Sequence, residues 1–253
     1  MTDPMFDLTG KIALITGGSR GLGLQMVRAF AARGADVVIA SRKLDACEAA
    51  AAEVQAMGRR AMAVSVNMSR WEDAERLVET VYAAWGRVDI LVNNAGMGPR
   101  VASHDYAEAL FDKVMDLNFK GPFRLGALVS KRMFDGAGGT IINVSSSGAL
   151  YPLPEVVPYS GAKAALNAMT VSFAREYAPK VRVNSICPGP ILKPPTGYEE
   201  TWESLRKTNP QHEIGSPQQI IEAILFLLTG PTFVNGVCLR VDGGTYWYRP
   251  NVH

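Results

Sequence analysis

Short apolar runs alternate with longer segments in which apolar residues recur every three or four positions, along nearly the whole chain. The short runs fall at 11–16, 36–40, 61–67, 89–93, 140–145, 182–186 and 237–241. Several are continuous rather than alternating (ALIT, VVIA, ILVN, IINV), as expected of strands covered on both faces. Helical spacing occupies 21–33, 44–57, 71–85, a long stretch at 110–134, then 157–177 and 217–228. Gly34, Gly58 and Gly86 each follow a helical segment, where a C-terminal cap sits, and Ser216-Pro217 reads as an N-cap with proline at the first helical position. Strand–helix alternation with short connections predicts parallel βαβ units with right-handed crossovers. The expectation is a three-layer, doubly wound α/β sheet of about seven strands, folded as a single domain over 1–253. The one loose region, 188–216, holds five prolines before Ser216 and a short amphipathic piece around 198–207, and is the candidate substrate lid.

Composition narrows the function classes. A chain of 253 residues with 47% hydrophobic and 20% charged residues is neither disordered nor too small for a sizeable core. The net charge of +2, from 26 basic and 24 acidic residues, argues against a dedicated nucleic-acid binder. Cys47, Cys187 and Cys238 are widely separated and form no CxxC pair, so they read as reduced thiols of a cytoplasmic protein. Residues 1–10 carry no cationic segment ahead of an apolar core, unlike a signal peptide, and the apolar run at 220–228 is interrupted by Glu222 and too short for a bilayer. His104, His212 and His253 are isolated, and no spacing supports a metal site.

Between the first strand and first helix lies Thr16-Gly17-Gly18-Ser19-Arg20-Gly21-Leu22-Gly23. Glycines there permit a tight turn and a close backbone approach to a pyrophosphate, which the N–H groups and dipole of the next helix stabilise. A chain selective for NAD would carry an acid at the end of the second strand to accept from the ribose hydroxyls. This chain has Ser41-Arg42-Lys43, with Arg20 in the first turn, which favours a 2′-phosphate. NADP(H) is the expected cofactor, with NAD(H) as the alternative. Tyr159 and Lys163 stand four apart in a helical segment, so they share a face. An ammonium beside a phenol favours phenolate and would bring its pKa down from about 10 toward acid/base work near neutrality.

Together, TGxxxGxG, Asn93-Asn94-Ala95-Gly96, Asn118, the serines at 145–147, YxxxK and Pro188-Gly189 resemble the short-chain dehydrogenase/reductase family in order and spacing, from about residue 8 to 244. The resemblance implies a Rossmann-type single-domain oxidoreductase moving a hydride between nicotinamide and a carbonyl or secondary alcohol. It implies that Tyr159 is the acid/base, that Lys163 tunes it and bonds the nicotinamide ribose, and that Asn118 holds a water leading to Lys163. The family spacing of thirteen residues before the tyrosine selects Ser146 as the hydroxyl that binds the substrate oxygen, although Gly148 lies only two residues beyond it. Gly17, Ser19, Arg20, Gly21, Leu22, Gly23, Ser41, Arg42, Asn67, Met68, Asn94, Ala95, Gly96, Pro188, Gly189 and Ile191 would lie along the cofactor.

Two positions depart from the family: Asn67 stands where an adenine-contacting Asp is common, and Lys193 where many members have Thr. A long cation at Lys193 would reach a phosphate, an acidic substrate or solvent, and Arg100 would likewise favour an anion. Met97, Pro99, His104, Tyr151, Leu153, Pro190, Leu192, Tyr198 and Trp202 complete the expected pocket, which suits a medium-sized substrate with an apolar part. Candidates are a 3-oxoacyl-carrier-protein reductase or a sugar, polyol or other ketone reductase. The alternative is a non-catalytic dinucleotide-binding regulatory or structural subunit. The resemblance further implies a homotetramer, or a dimer, packed through 110–134 and 157–177, with Tyr246-Trp247-Tyr248 packing on another subunit or on its own.

Overall fold

The computed structural model describes residues 6–191 and 199–245. Seven strands form one parallel sheet: β1 (Ile12–Thr16), β2 (Asp36–Ser41), β3 (Ala61–Ser65), β4 (Ile90–Asn93), β5 (Gly139–Val144), β6 (Val181–Pro188) and β7 (Cys238–Val241). Their order is β3-β2-β1-β4-β5-β6-β7, so the strand order reverses between β1 and β4. This is the doubly wound, Rossmann-like arrangement expected, with all seven strands close to their predicted positions.

The continuous apolar runs have a simple origin. Both faces of the central strands are covered, so both sets of alternating side chains must be apolar. Ala13 and Ile15 of β1 enter one core with Val37 and Ile39 of β2. Leu14 and Val38 enter the opposite core. The first core is closed by α1 (Gly21–Ala31), α2 (Leu44–Ala56) and α8 (Pro217–Thr229). The second is closed by α3 (Trp71–Trp85), α5 (Gly121–Asp135) and α6 (Val157–Glu176). Each fully buried Leu, Ile or Val contributes about 1.5–3 kcal/mol. These strands are therefore the rigid part on which the loops at their carboxyl ends are mounted.

The predicted caps are in place. Gly86 is left-handed (φ +77°) directly after α3, and Gly34 and Gly58 also have positive φ. Ser216 Oγ accepts from Gln219 N–H while Gln219 Oε1 accepts from Ser216 N–H, a reciprocal box at the start of α8.

The long helix expected at 110–134 is interrupted. It divides into α4 (Glu108–Met115), a wide π turn (Asp116–Lys120) and α5. Pro122 has no N–H to give the carbonyl of Asn118 four residues earlier, so ordinary helical bonding fails there. Gly121 N–H bonds Asp116 O instead, five residues back.

Candidate active site

Ligands of open α/β sheets lie beyond the carboxyl ends of the strands, where the strand order reverses. Here β1 ends in the glycine-rich turn. The residue before α1 is Arg20, whose side chain makes no capping bond, and the first turn of α1 holds no acid. Its leading N–H groups are left at the positive end of the helix. A Cβ at Gly23 would stand 2.1 Å from Gly17 O, so only glycine permits this turn. Asn94 braces it: Nδ2 donates to Thr16 O (2.9 Å) and Gly17 O (3.3 Å). Thr16 Oγ1 in turn accepts the N–H groups of Asn94 and Ala95. Ser19 Oγ and Ser41 Oγ are 2.7 Å apart, linking the first two strand-end turns. Arg20, Arg42 and Lys43 are exposed around them, and no ion pair among the described residues engages any of the three. An uncapped helix end, a glycine cradle and unpaired cations fit the pyrophosphate and an additional phosphate of a dinucleotide.

Other predicted cofactor residues are presented differently. Asn67 N–H bonds Asp73 Oδ2 (2.9 Å) and Asn67 Oδ1 accepts Ser69 N–H (3.2 Å), which turns the chain out of β3. Its amide nitrogen is left for a ligand. The side chains of Leu22 and Met68 are buried in the two cores, so only their backbone faces the cleft side.

Tyr159 and Lys163 lie one turn apart on α6, with Lys163 Nζ 5.8 Å from the phenol ring centre. Lys163 is buried, and its one hydrogen bond among the described residues goes to Val144 O (2.7 Å). Burial pushes its ammonium down to about 8. Ser146, just beyond β5, accepts Gly148 N–H at Oγ (3.0 Å), and its hydroxyl lies near the Tyr159 phenol on the cleft floor. The glycine two residues after Ser146 therefore orients the serine. Ser145 Oγ is turned instead to Lys163 O (3.2 Å), so of the three serines it is Ser146 that reaches the phenol. The sequence expectation of a lowered tyrosine pKa is reversed in the protein alone. Burial pushes the phenol above its usual 10, outweighing the opposing effect of the Ser146 hydroxyl, while Lys163 is directed at a strand carbonyl.

Asn118 is fully buried in the π turn. Nδ2 donates to Met97 O (2.8 Å) and Val114 O (2.9 Å), and Oδ1 accepts Met97 N–H (3.3 Å). Its side chain thus ties the loop after β4 to the helix. Its backbone carbonyl cannot be served by Pro122, which has no N–H. Gly96 separates Asn118 from Lys163: a Cβ there would meet Asn118 Oδ1 at 2.7 Å and Lys163 Nζ at 3.5 Å. Pro122 was the sequence signal for this turn, but the apolar spacing runs unbroken across it.

These groups open into a cleft of about 500 Å³. Met97, Leu153, Val156 and Pro190 supply apolar wall, and Ser146, Tyr159 and Lys163 the polar floor. Pro188 and Gly189 border it, Gly189 N–H bonding Val241 O (2.9 Å). Ile191 packs against the first core, beside Gly215. Arg100 lines the cleft but is ion-paired with Glu155 (2.9 Å), so it is not the free anion-binding cation expected. Pro99, His104, Tyr151 and Trp202 are not among the lining residues. The amphipathic piece of the expected lid is α7 (Glu199–Thr208). The segment beyond it is anchored by Asn209 Nδ2 to Asp242 O and by Gly215 N–H to Pro190 O. Leu192, Lys193, Tyr198 and the 246–248 tail lie outside the described residues.

Comparison with known proteins gives a consistent result. The family model described as short chain dehydrogenase matches residues 11–204. An A-factor type gamma-butyrolactone 1′-reductase (1S-forming) of Streptomyces virginiae is 36% identical, over 96% of this chain and 98% of its own. An NAD-dependent glycerol dehydrogenase of Listeria innocua is 32% identical, over 96% of each chain. Among solved structures, a 7α-hydroxysteroid dehydrogenase complexed with NADH and 7-oxo glycochenodeoxycholic acid superposes with a TM-score of 0.89 at 32% identity, covering 96% of this chain and 98% of that one.

Proposed function

The chain belongs to the short-chain dehydrogenase family of oxidoreductases acting on alcohol and ketone groups, and from that premise we propose an NADP(H)-dependent carbonyl reductase. The observation that carries this reading is the Ser146–Tyr159 hydroxyl pair on the cleft floor, beside a buried lysine without a carboxylate partner. The bound dinucleotide supplies the hydride. Tyr159 gives its proton to the carbonyl oxygen, and Ser146 donates a hydrogen bond to the same oxygen. A phenol held above its usual pKa is protonated at neutral pH, the form that gives a proton to a carbonyl oxygen. Alcohol oxidation needs the phenolate and gains as pH rises. Lys163 retains two N–H donors for the nicotinamide ribose, and Asn118 holds a water on the path to it. Gly21, Leu22 and Gly23 hold the pyrophosphate through backbone N–H groups and Ser19 through its hydroxyl, while Gly17, whose own N–H bonds Ala40 O, shapes the turn beside it. Asn67 and the backbone of Met68 meet the adenine. Ala95, Gly96, Pro188, Gly189 and Ile191 line the nicotinamide path, with Asn94 bracing the turn.

The absence of an acid after β2, with Arg20, Arg42 and Lys43 exposed there, supports NADP(H). The glycerol dehydrogenase relative is NAD-dependent and the steroid dehydrogenase binds NADH, so NAD(H) is the competing cofactor. The apolar cleft wall supports a medium-sized ketone, with 3-oxoacyl-carrier, sugar and polyol carbonyls as the other classes to be compared. Closure of 188–216 over the cleft would exclude water. Exposed Phe123 and Phe134 on α5 and Val171 on α6 support a tetramer or dimer packed through those helices. No helix among the described residues is long and apolar enough to cross a membrane, and the three cysteines are free, which supports a cytoplasmic setting. Steady-state oxidation of NADPH and NADH against a diverse carbonyl panel tests the reading. Turnover with NADPH at a higher kcat/KM than with NADH is expected, and cofactor binding with no turnover on any carbonyl would leave the regulatory-subunit alternative instead.

A further inference from the structure

We propose that Glu155 sets the charge selectivity of the cleft, favouring uncharged carbonyl substrates over those that carry a carboxylate near the reacting carbon. The inference rests on the carbonyl reading above and names the substrate class for the same site.

Arg100 is one of two cations among the described lining residues; the other, Lys163, is directed at Val144 O. The Arg100 guanidinium is already engaged, since Nε and Nη2 both donate to Glu155 Oε2 (3.1 and 2.9 Å). A backbone bond runs alongside, from Val101 N–H to Glu155 O (2.9 Å). Glu155 has φ +66°, a left-handed conformation that is strained for a non-glycine residue. The backbone bond and the ion pair hold it there. Together they clasp the loop after β4 to the loop before α6. Gly98, in the same loop as Arg100, lies against the Tyr159 ring, so the clasp closes over the reacting end of the cleft.

The consequence is electrostatic. An uncharged substrate enters past the apolar wall of Met97, Leu153 and Val156 and leaves the pair intact. A carboxylate seeking Arg100 has to displace Glu155 and then sit beside the released carboxylate. Both side chains are about half exposed. The pair itself is thus worth up to about 1 kcal/mol, about fivefold in selectivity, and like-charge repulsion adds to that.

The test uses ethyl 3-oxobutanoate and 3-oxobutanoate as a matched ester and acid. In the wild type the ester is expected to have the higher kcat/KM. Glu155→Gln, which keeps the shape and removes the charge, should raise the acid-to-ester ratio about fivefold or more, and adding Arg100→Gln should cancel that rise. An unchanged ratio in Glu155→Gln overturns the proposal, as does a wild type that prefers the acid and loses that preference in Arg100→Gln. Titrating bound NADPH fluorescence with both compounds, in the Tyr159→Phe background, gives the same ratio without turnover. The expected binding ratio combined with no turnover on any carbonyl would overturn the reductase reading and leave the charge selectivity standing. Failure of the ester to bind would overturn the selectivity claim itself.

Discussion

At the amino edge of the sheet, where β2 begins, Asp36 is buried yet accepts three hydrogen bonds, from Arg59 Nη2 (3.0 Å), Arg60 N–H (3.0 Å) and Arg60 Nε (2.7 Å). Burial works against its charge, but the two arginines prevail and hold the carboxyl below its usual 3.8. Asp89, ahead of β4, accepts from Ile12 N–H (2.8 Å) and from Arg87. Arg182, early in β6, serves the carbonyls of Leu227 and Leu228 in the last turn of α8 and of Val234 beyond it. At the carboxyl edge the same chain leaves Lys163 buried with one carbonyl, the start of α1 without a side-chain cap, and three cations unpaired among the described residues. Both edges belong to the same seven strands, so the difference is not one of scaffold. Polar groups satisfied internally hold strands and helices in register; polar groups left short of partners are ready for a ligand.

Exchanging a residue at each edge should therefore separate activity from stability. The largest effect is expected from Lys163→Met, which should lower kcat/KM for carbonyl reduction by about 10²–10³-fold, given the usual scale of acid/base assistance. Its melting temperature should not fall much, because a buried ammonium without a counter-ion is removed. The pH dependence follows. Between about 8 and 10.5 the folded wild type binds fewer protons at Lys163 than the unfolded chain, so its stability rises with pH across that window. Denaturant titrations should show this slope in the wild type and lose it in the variant.

Asp36→Asn should do the opposite, leaving kcat/KM nearly unchanged while destabilising the fold by about 2 kcal/mol, below the range for fully buried pairs because both arginines reach solvent. With its folded pKa depressed, Asp36 contributes stability above the usual 3.8 that is lost as pH falls through the folded value, so the variant should lose less on acidification. A smaller change tests the cofactor end: Arg42→Ala should raise KM for NADPH about 10-fold through one lost charge-assisted bond and leave KM for NADH within about twofold. Equal changes for both cofactors would remove the 2′-phosphate role.

Much of the fold was legible because it depends on local pattern. Continuous apolar runs marked strands covered on both faces, Gly86 and Ser216 marked helix ends, and the glycine spacing marked the turn before α1. What stayed hidden depends on distant partners or on burial. The spacing of Tyr159 and Lys163 gives their shared face but not that Lys163 turns to Val144 O, so the direction of the phenol shift was misread. Arg100 looked like a free cation because its partner, Glu155, is 55 residues away and held in an uncommon left-handed backbone. The helix break that carries Asn118 was hidden, since the apolar periodicity crosses a π turn that Pro122 alone betrays.

The central claim is that Tyr159 at the carboxyl edge delivers the proton of carbonyl reduction. Tyr159→Phe measures it most directly, because the ring and its packing remain and only the hydroxyl is lost. Carbonyl-dependent NADPH oxidation should fall by about 10²–10⁴-fold while NADPH binding and the melting temperature stay close to wild type. Turnover within about tenfold of wild type would contradict the account.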